Sequence, residues 1–196
     1  MSMDNTPGRA HGWARAFQAV AVSLWGLAAS GFASAAEPTG PSVYLEGGNT
    51  FQQGDDTRMA TIGLRLPVQR TFWDGRVTAA LDLYLSDWKA DAVPGTRSQF
   101  SQIGLVPMFR YRFDAGQSPW FVEGGVGVSY LSASYQTANK LFSTQWNFSD
   151  HLGVGRSFGA DHRQELGLYV KHVSNAGLRS PNPGESFLLL RYAYAF

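Results

Sequence analysis

The sequence predicts an all-β chain: an eight-stranded antiparallel transmembrane β-barrel behind a cleavable signal peptide. Three observations carry that expectation. Apolar and polar residues alternate with period two in eight separate runs, and no long segment keeps a helical period. Charged residues collect on one parity of these runs, while aliphatic and aromatic residues collect on the other. Short turns alternate with longer connections, which is the loop pattern of outer-membrane barrels.

The first segment stands apart from the fold. Arg9, His11 and Arg15 precede the apolar run Ala19–Ala29, and Ala33-Ser34-Ala35 offers the small residues of a cleavage site. A basic start, a short apolar middle and a small-residue end describe a secretory signal. The middle is too short and too weakly apolar for a spanning helix. The expected organisation is a signal peptide over 1–35 and a barrel domain over 36–196. Cleavage removes Arg9, Arg15 and Asp4, so the formal charge of +1 falls to zero. A neutral chain of this kind lacks the basic patch that a nucleic-acid partner requires. Cysteine is absent, which excludes a disulfide framework, a zinc–thiolate site and a cysteine nucleophile.

The strand-like runs begin near Ser42, Arg58, Val77, Gln102, Pro119, Phe148, Gln164 and Glu185. The third is the clearest. Val77, Ala79, Leu81, Leu83 and Leu85 share one face, and Thr78, Asp82, Tyr84 and Ser86 take the other. Asp74-Gly75, Asp114-Ala115-Gly116 and Gly159-Ala160-Asp161 mark short turns. Longer connections fall near 51–57, 87–99, 132–146 and 175–184. With a periplasmic N-terminus, these longer connections face the cell exterior. The chain ends at Phe196, with Tyr192 and Tyr194 on the same face, and resembles the aromatic-ended sorting signal of outer-membrane proteins.

Parity assigns Glu46, Arg65, Asp82, Arg110, Arg112, Glu123, Glu165, Lys171 and Arg191 to one face. Apolar outside and polar inside is the arrangement of a membrane barrel. An eight-stranded barrel is just wide enough inside for side chains to fill it, so these charges should pair and plug the lumen rather than line a pore. Arg58 and Arg156 fall on the apolar face, near strand ends where long basic side chains reach headgroups. Asp150 also falls there, and no such reach is open to a short carboxylate.

The seventh run, Gln164–Ser174, carries the candidate chemistry. Glu165, Gly167, Tyr169 and Lys171 face the lumen, which leaves His172 and Ser174 on the lipid-facing side at the outward end. Polar groups on such a surface cost free energy unless satisfied, which invites a functional reading. Residues i and i+2 of a strand lie roughly 6.6 Å apart on one face, and an imidazole covers part of that gap. Serine is a weak nucleophile until a neighbouring base takes its proton, and histidine suits the task. An ester oxyanion would need donors. Asn175 and the backbone N–H groups of the turn through Gly177 are the nearest supply. A His-x-Ser pair is nevertheless a small motif, and a strand-end histidine serves equally as an interfacial residue. Glu185 is the nearest acid for orienting His172, yet strict alternation points Glu185 into the lumen and Ser186 outward. A bulge at Glu185 would be needed to bring it to His172. His151 and His162 form no ligand spacing with His172, so neither a metal nor a cofactor is expected.

Over His172-Val-Ser-Asn-Ala-Gly-Leu178 and Pro181-Asn-Pro-Gly-Glu185, the chain resembles the lipid A 3-O-deacylase family (PagL). Looser similarity extends through Trp120–Gly127 and Asn147-Phe-Ser-Asp150. The resemblance implies an eight-stranded outer-membrane barrel with its active site on the outer, lipid-facing wall. It implies removal of the ester-linked 3-hydroxyacyl chain at the 3-position of lipid A, without a metal. Residue by residue, it makes Ser174 the nucleophile, His172 the base and Asn175 an oxyanion-hole contributor. The family acid follows a Pro-Asn-x-Gly turn after one intervening residue, whereas Glu185 follows Gly184 directly. The expected partner is lipopolysaccharide in the membrane, with a homodimer left open. Two other readings stay open on the residues alone: an outer-membrane phospholipase A-like hydrolase, and a non-enzymatic barrel for adhesion or envelope packing.

Overall fold

The alternating runs form eight strands: β1 (Ser42–Thr50), β2 (Thr57–Phe72), β3 (Val77–Ala90), β4 (Gln99–Arg112), β5 (Trp120–Leu131), β6 (Trp146–Phe158), β7 (Gln164–Ser174) and β8 (Glu185–Ala195). The computed structural model describes residues 40–51, 56–91, 93–159 and 161–196. The segment expected to be a signal peptide, 1–35, lies outside the described residues. Each strand pairs antiparallel with its sequence neighbour, and β8 returns to β1, closing the sheet. Closure satisfies the backbone without a free edge, which a hydrocarbon environment demands.

The outer connection expected over 87–99 is shorter than the sequence reading made it. β3 runs on through Ala90 and β4 begins at Gln99. The reason is apolar packing at the mouth. Trp88 and Phe100 continue the inward alternation and are buried there. With Met59, Leu131, Val173 and Phe187 they form a cluster completed by Tyr135 and Phe142 from the β5–β6 connection. Trp88 meets Phe187 and Tyr135 edge-on, at centroid distances of 4.7 and 5.4 Å. The outer end of the lumen is therefore capped by rings.

Below that cap the lumen is ionic. All nine charges that parity placed inside are buried. Arg191 binds Glu46 and Asp82, the latter at 3.1 Å, with its guanidinium between the rings of Tyr44 and Tyr169. Lys171 Nζ reaches Glu46 Oε2 at 3.0 Å. Arg65 and Arg110 share Glu123 at 2.8 Å each, and Arg112 meets Glu165 at 3.2 Å. Strands on opposite sides of the barrel are thus tied through its axis. Outside, Leu45, Ile62, Leu85, Val126, Leu152 and Leu190 are each more than half exposed. Such a continuous apolar surface is suited to hydrocarbon rather than water. Arg156, on this outer face, lies against the Trp120 ring at 5.7 Å. Among the described residues no helix is long and apolar enough to cross a membrane; the strands make the crossing.

Candidate active site

His172 and Ser174 stand on the outer face at the end of β7, both half-buried, between inward-facing Lys171 and Val173. The register fixes their neighbours. His172 lies opposite Ser186 on β8 and opposite Asp150 on β6, and Ser174 lies opposite Phe148. His172 Nδ1 and Ser186 Oγ are 2.8 Å apart, an ordinary hydrogen bond. The imidazole is therefore held at Nδ1, which leaves Nε2 as the free ring nitrogen.

Gly184 closes the site from above. Its φ is +65°, and a Cβ built on it would sit 2.7 Å from His172 Cε1, 3.1 Å from His172 Nε2 and 3.5 Å from Ser174 Cβ. The ring edge carrying Nε2 and the Ser174 side chain thus flank one point, over which only a glycine fits. Among the described residues no hydrogen bond joins Ser174 to His172. Such bonds are often loose until substrate tightens them.

Glu185 is not brought to His172. Its strand keeps strict alternation, with Val173 opposite Glu185 and His172 opposite Ser186, and no bulge intervenes. The Glu185 carboxylate is fully buried in the barrel mouth. It accepts hydrogen bonds from Lys140 Nζ at 2.9 Å, Tyr135 OH at 3.0 Å and the Ser186 N–H at 3.1 Å. Val173 beside it belongs to the aromatic cap, so turning Glu185 outward would unseat that packing. Ser186 occupies the outward position instead. The parity argument had pointed there, although the motif drew attention to the acid.

Asn175 is present at the turn, with its side chain already committed. Its Nδ2 donates to the Arg179 carbonyl at 2.8 Å, Ser143 Oγ at 3.0 Å and Thr144 Oγ1 at 3.2 Å. Its Oδ1 accepts from the Gly177 N–H at 3.0 Å, and its own N–H donates to Asn182 Oδ1 at 3.0 Å. Asn175 therefore fastens two outer connections together. Ser143 adds to the join, donating its hydroxyl to the Arg179 carbonyl and its N–H to the Pro181 carbonyl. Gly177, at φ +76°, shapes the turn. The N–H aimed at the nucleophile position is that of Ala176, 3.4 Å from Ser174 Oγ.

Sequence reasoning therefore reached His172, Ser174, Asn175 and Gly177 as neighbours. It included the Ala176 N–H among the turn donors, and it missed the covering role of Gly184 and the contribution of the 132–145 connection. A signal for Gly184 was available, since a glycine just before a strand often marks a positive φ. No group of three or more possible metal ligands occurs among the described residues.

Residues 58–195 match the family described as lipid A 3-O-deacylase (PagL). The chain is 32% identical over 170 residues to the lipid A deacylase PagL of Bordetella bronchiseptica, covering 82% of this chain and 86% of that protein. It is 30% identical over 168 residues to the lipid A deacylase PagL of Pseudomonas aeruginosa, covering 83% and 91% respectively. The crystal structure of the outer membrane enzyme PagL superposes with a TM-score of 0.66 at 27% identity, covering 79% of this chain and 99% of that one.

Proposed function

Because the chain belongs to the lipid A 3-O-deacylase (PagL) family and is an outer-membrane ester hydrolase, we propose that Ser174 and His172 perform the deacylation. The substrate is lipid A in the membrane, and the bond broken is the ester to the acyl chain at its 3-position. The observation that carries the assignment is the shared point beneath Gly184. There the Nε2 edge of His172 and the Ser174 side chain pack against the same glycine while Nδ1 is held by Ser186 at 2.8 Å.

The chemistry follows from that arrangement. With its proton on Nδ1, His172 donates an N–H hydrogen bond to Ser186 Oγ, which keeps the Nε2 lone pair for Ser174. Ser174 Oγ attacks the ester carbonyl as its proton passes to Nε2. The oxyanion forms beside Oγ, where the Ala176 N–H is the nearest donor. Asn175 acts by shaping the turn that presents this N–H. Collapse of the intermediate expels the sugar oxygen, which takes the proton from Nε2. A water then repeats the sequence on the seryl ester and releases the hydroxy fatty acid. In this scheme Ser186 is the positioning residue, and Glu185 acts from the lumen as an anchor. Lipid A approaches laterally from the outer leaflet, so the plugged lumen plays no part in entry. One copy of the chain supplies every residue in the scheme.

The test is mass spectrometry of lipid A from cells making the wild type, Ser174→Ala or His172→Ala. Loss of one 3-hydroxyacyl chain with the wild type alone is the expected outcome, since removing such a member typically costs several orders of magnitude in rate. Unchanged lipid A with phospholipid cleaved would move the activity to phospholipids. Deacylation by Ser174→Ala would remove the nucleophile assignment.

A further inference from the structure

Asp150 is an acid on the lipid-facing wall that the reaction leaves unused. It is half-buried at the outer half of β6, in register between Val126 on β5 and His172 on β7. Among the described residues it makes no hydrogen bond and no ion pair. The other acid on the outward face of the described strands, Asp87, is accounted for: its Oδ1 accepts from Gln99 Nε2 at 2.9 Å. A short carboxylate facing hydrocarbon is costly and cannot snorkel away, so its place requires a reason.

The site supplies one. When Nε2 takes the Ser174 proton, the imidazole becomes a cation on a lipid-facing surface, where solvation by water is poorer than in bulk. In serine hydrolases a carboxylate next to the histidine offsets that charge. Here the group on Nδ1 is the Ser186 hydroxyl, which orients the ring but carries no charge. Glu185 is committed to Lys140 inside the mouth. Side chains directly opposite each other in an antiparallel pair have Cβ atoms roughly 5 Å apart. Asp150 is thus the nearest carboxylate on the same face as the ring, and a low-dielectric surface strengthens its field.

We propose that Asp150 is a positioning residue of the reaction: its carboxylate, across the β6–β7 pair, stabilises the His172 imidazolium that forms as Ser174 attacks. Orientation and charge are thereby divided between two strands, Ser186 on β8 doing the first and Asp150 on β6 the second. This rests on His172 being the base, as assigned above.

The experiment is steady-state deacylation of lipopolysaccharide in detergent micelles by the purified barrel, comparing wild type, Asp150→Asn, Asp150→Leu and Asp150→Glu. Thermal unfolding is recorded for each. A charge at this distance predicts that Asp150→Asn and Asp150→Leu lower kcat roughly 10- to 100-fold, with KM changed by less than about twofold. Asp150→Glu should recover a substantial part of kcat. The two uncharged variants should unfold no earlier than the wild type, since they relieve a buried-charge penalty. That combination, slower yet at least as stable, is not what a merely structural residue produces. Unchanged kcat in Asp150→Asn would overturn the proposal. So would a raised KM with kcat intact, which would make Asp150 a contact for the sugar, and so would loss of the folded barrel in both uncharged variants. Ser174→Ala and His172→Ala in the same assay separate the two levels. Activity in either would remove the base and nucleophile assignment itself. If both are inactive and Asp150→Asn is fully active, only the role of Asp150 falls.

Discussion

Gly184→Ala tests the site most directly, because the added methyl group strikes the catalytic geometry without removing any functional group. Two costs follow from the structure. At φ +65° an L-residue pays about 1–2 kcal/mol that glycine avoids. The new Cβ would also lie 2.7 Å from His172 Cε1 and 3.1 Å from Nε2. Carbon atoms prefer separations of about 3.5–4.0 Å, so the ring edge must retreat by about 1 Å or the loop must lift. Retreat carries Nε2 away from Ser174 and strains the 2.8 Å bond to Ser186. A misplacement of about 1 Å typically costs about 100-fold in rate, or about 2.7 kcal/mol of activation free energy. The expected result is a kcat lowered about 100-fold in a barrel that still folds, because Gly184 precedes the ladder of β8. The assay is the initial rate of 3-hydroxy fatty acid release from lipopolysaccharide, alongside circular dichroism of the refolded protein. A folded Gly184→Ala barrel with kcat within about twofold of wild type would refute the argument from ring placement.

Two further variants probe the connection between the outer loops. Asn175→Ala removes four side-chain hydrogen bonds at one stroke, to Ser143, Thr144, Arg179 and Gly177. At about 0.5–1.5 kcal/mol each, it should leave residues 175–184 more open to limited proteolysis and lower kcat at least about tenfold. An unchanged cleavage pattern would show that the join is not held there. Lys140→Met leaves the buried Glu185 carboxylate without its cation partner, a change that typically costs about 3–5 kcal/mol. It should lower the thermal midpoint. Adding Glu185→Gln should recover much of the loss, and a strictly additive double variant would contradict the pairing.

The fold was legible because a barrel wall has only two faces and the period-two pattern distinguishes them. Lys171 and His172 illustrate the point: adjacent in sequence, they end on opposite sides of the sheet, and parity alone said so. The strand ends were less legible. Trp88, Ala90 and Phe100 extend β3 and β4 because rings from a distant connection, Tyr135 and Phe142, pack on them at the mouth. No local pattern announces a partner some forty residues away. The same limit applies to Asn175. Its residue type suits an oxyanion donor, and its neighbours in sequence leave it free. Ser143 and Thr144, which occupy its amide, arrive from the preceding outer connection.

Glu185 and Ser186 show how a single position redirects a site. Along a strand, one residue of displacement moves a side chain from one solvent to another. An acid directly after Gly184 falls inside the barrel, where it meets Lys140 and Tyr135 and braces the mouth. The residue that then faces the histidine is a serine. Had β8 begun with a bulge, the acid could have been brought outward. The ladder from Val173–Glu185 onward is regular, and Phe187 and Leu189, buried with no exposed surface, lock that register through the core. Slipping β8 by one residue would turn both outward and bring Leu188 and Leu190 into the lumen in place of Arg191, leaving Glu46 and Asp82 without that cation. The core thus fixes which face each residue of β8 takes, and with it the identity of the group on His172 Nδ1. A charge for the imidazolium has then to come from another strand of the same face, and the register offers β6.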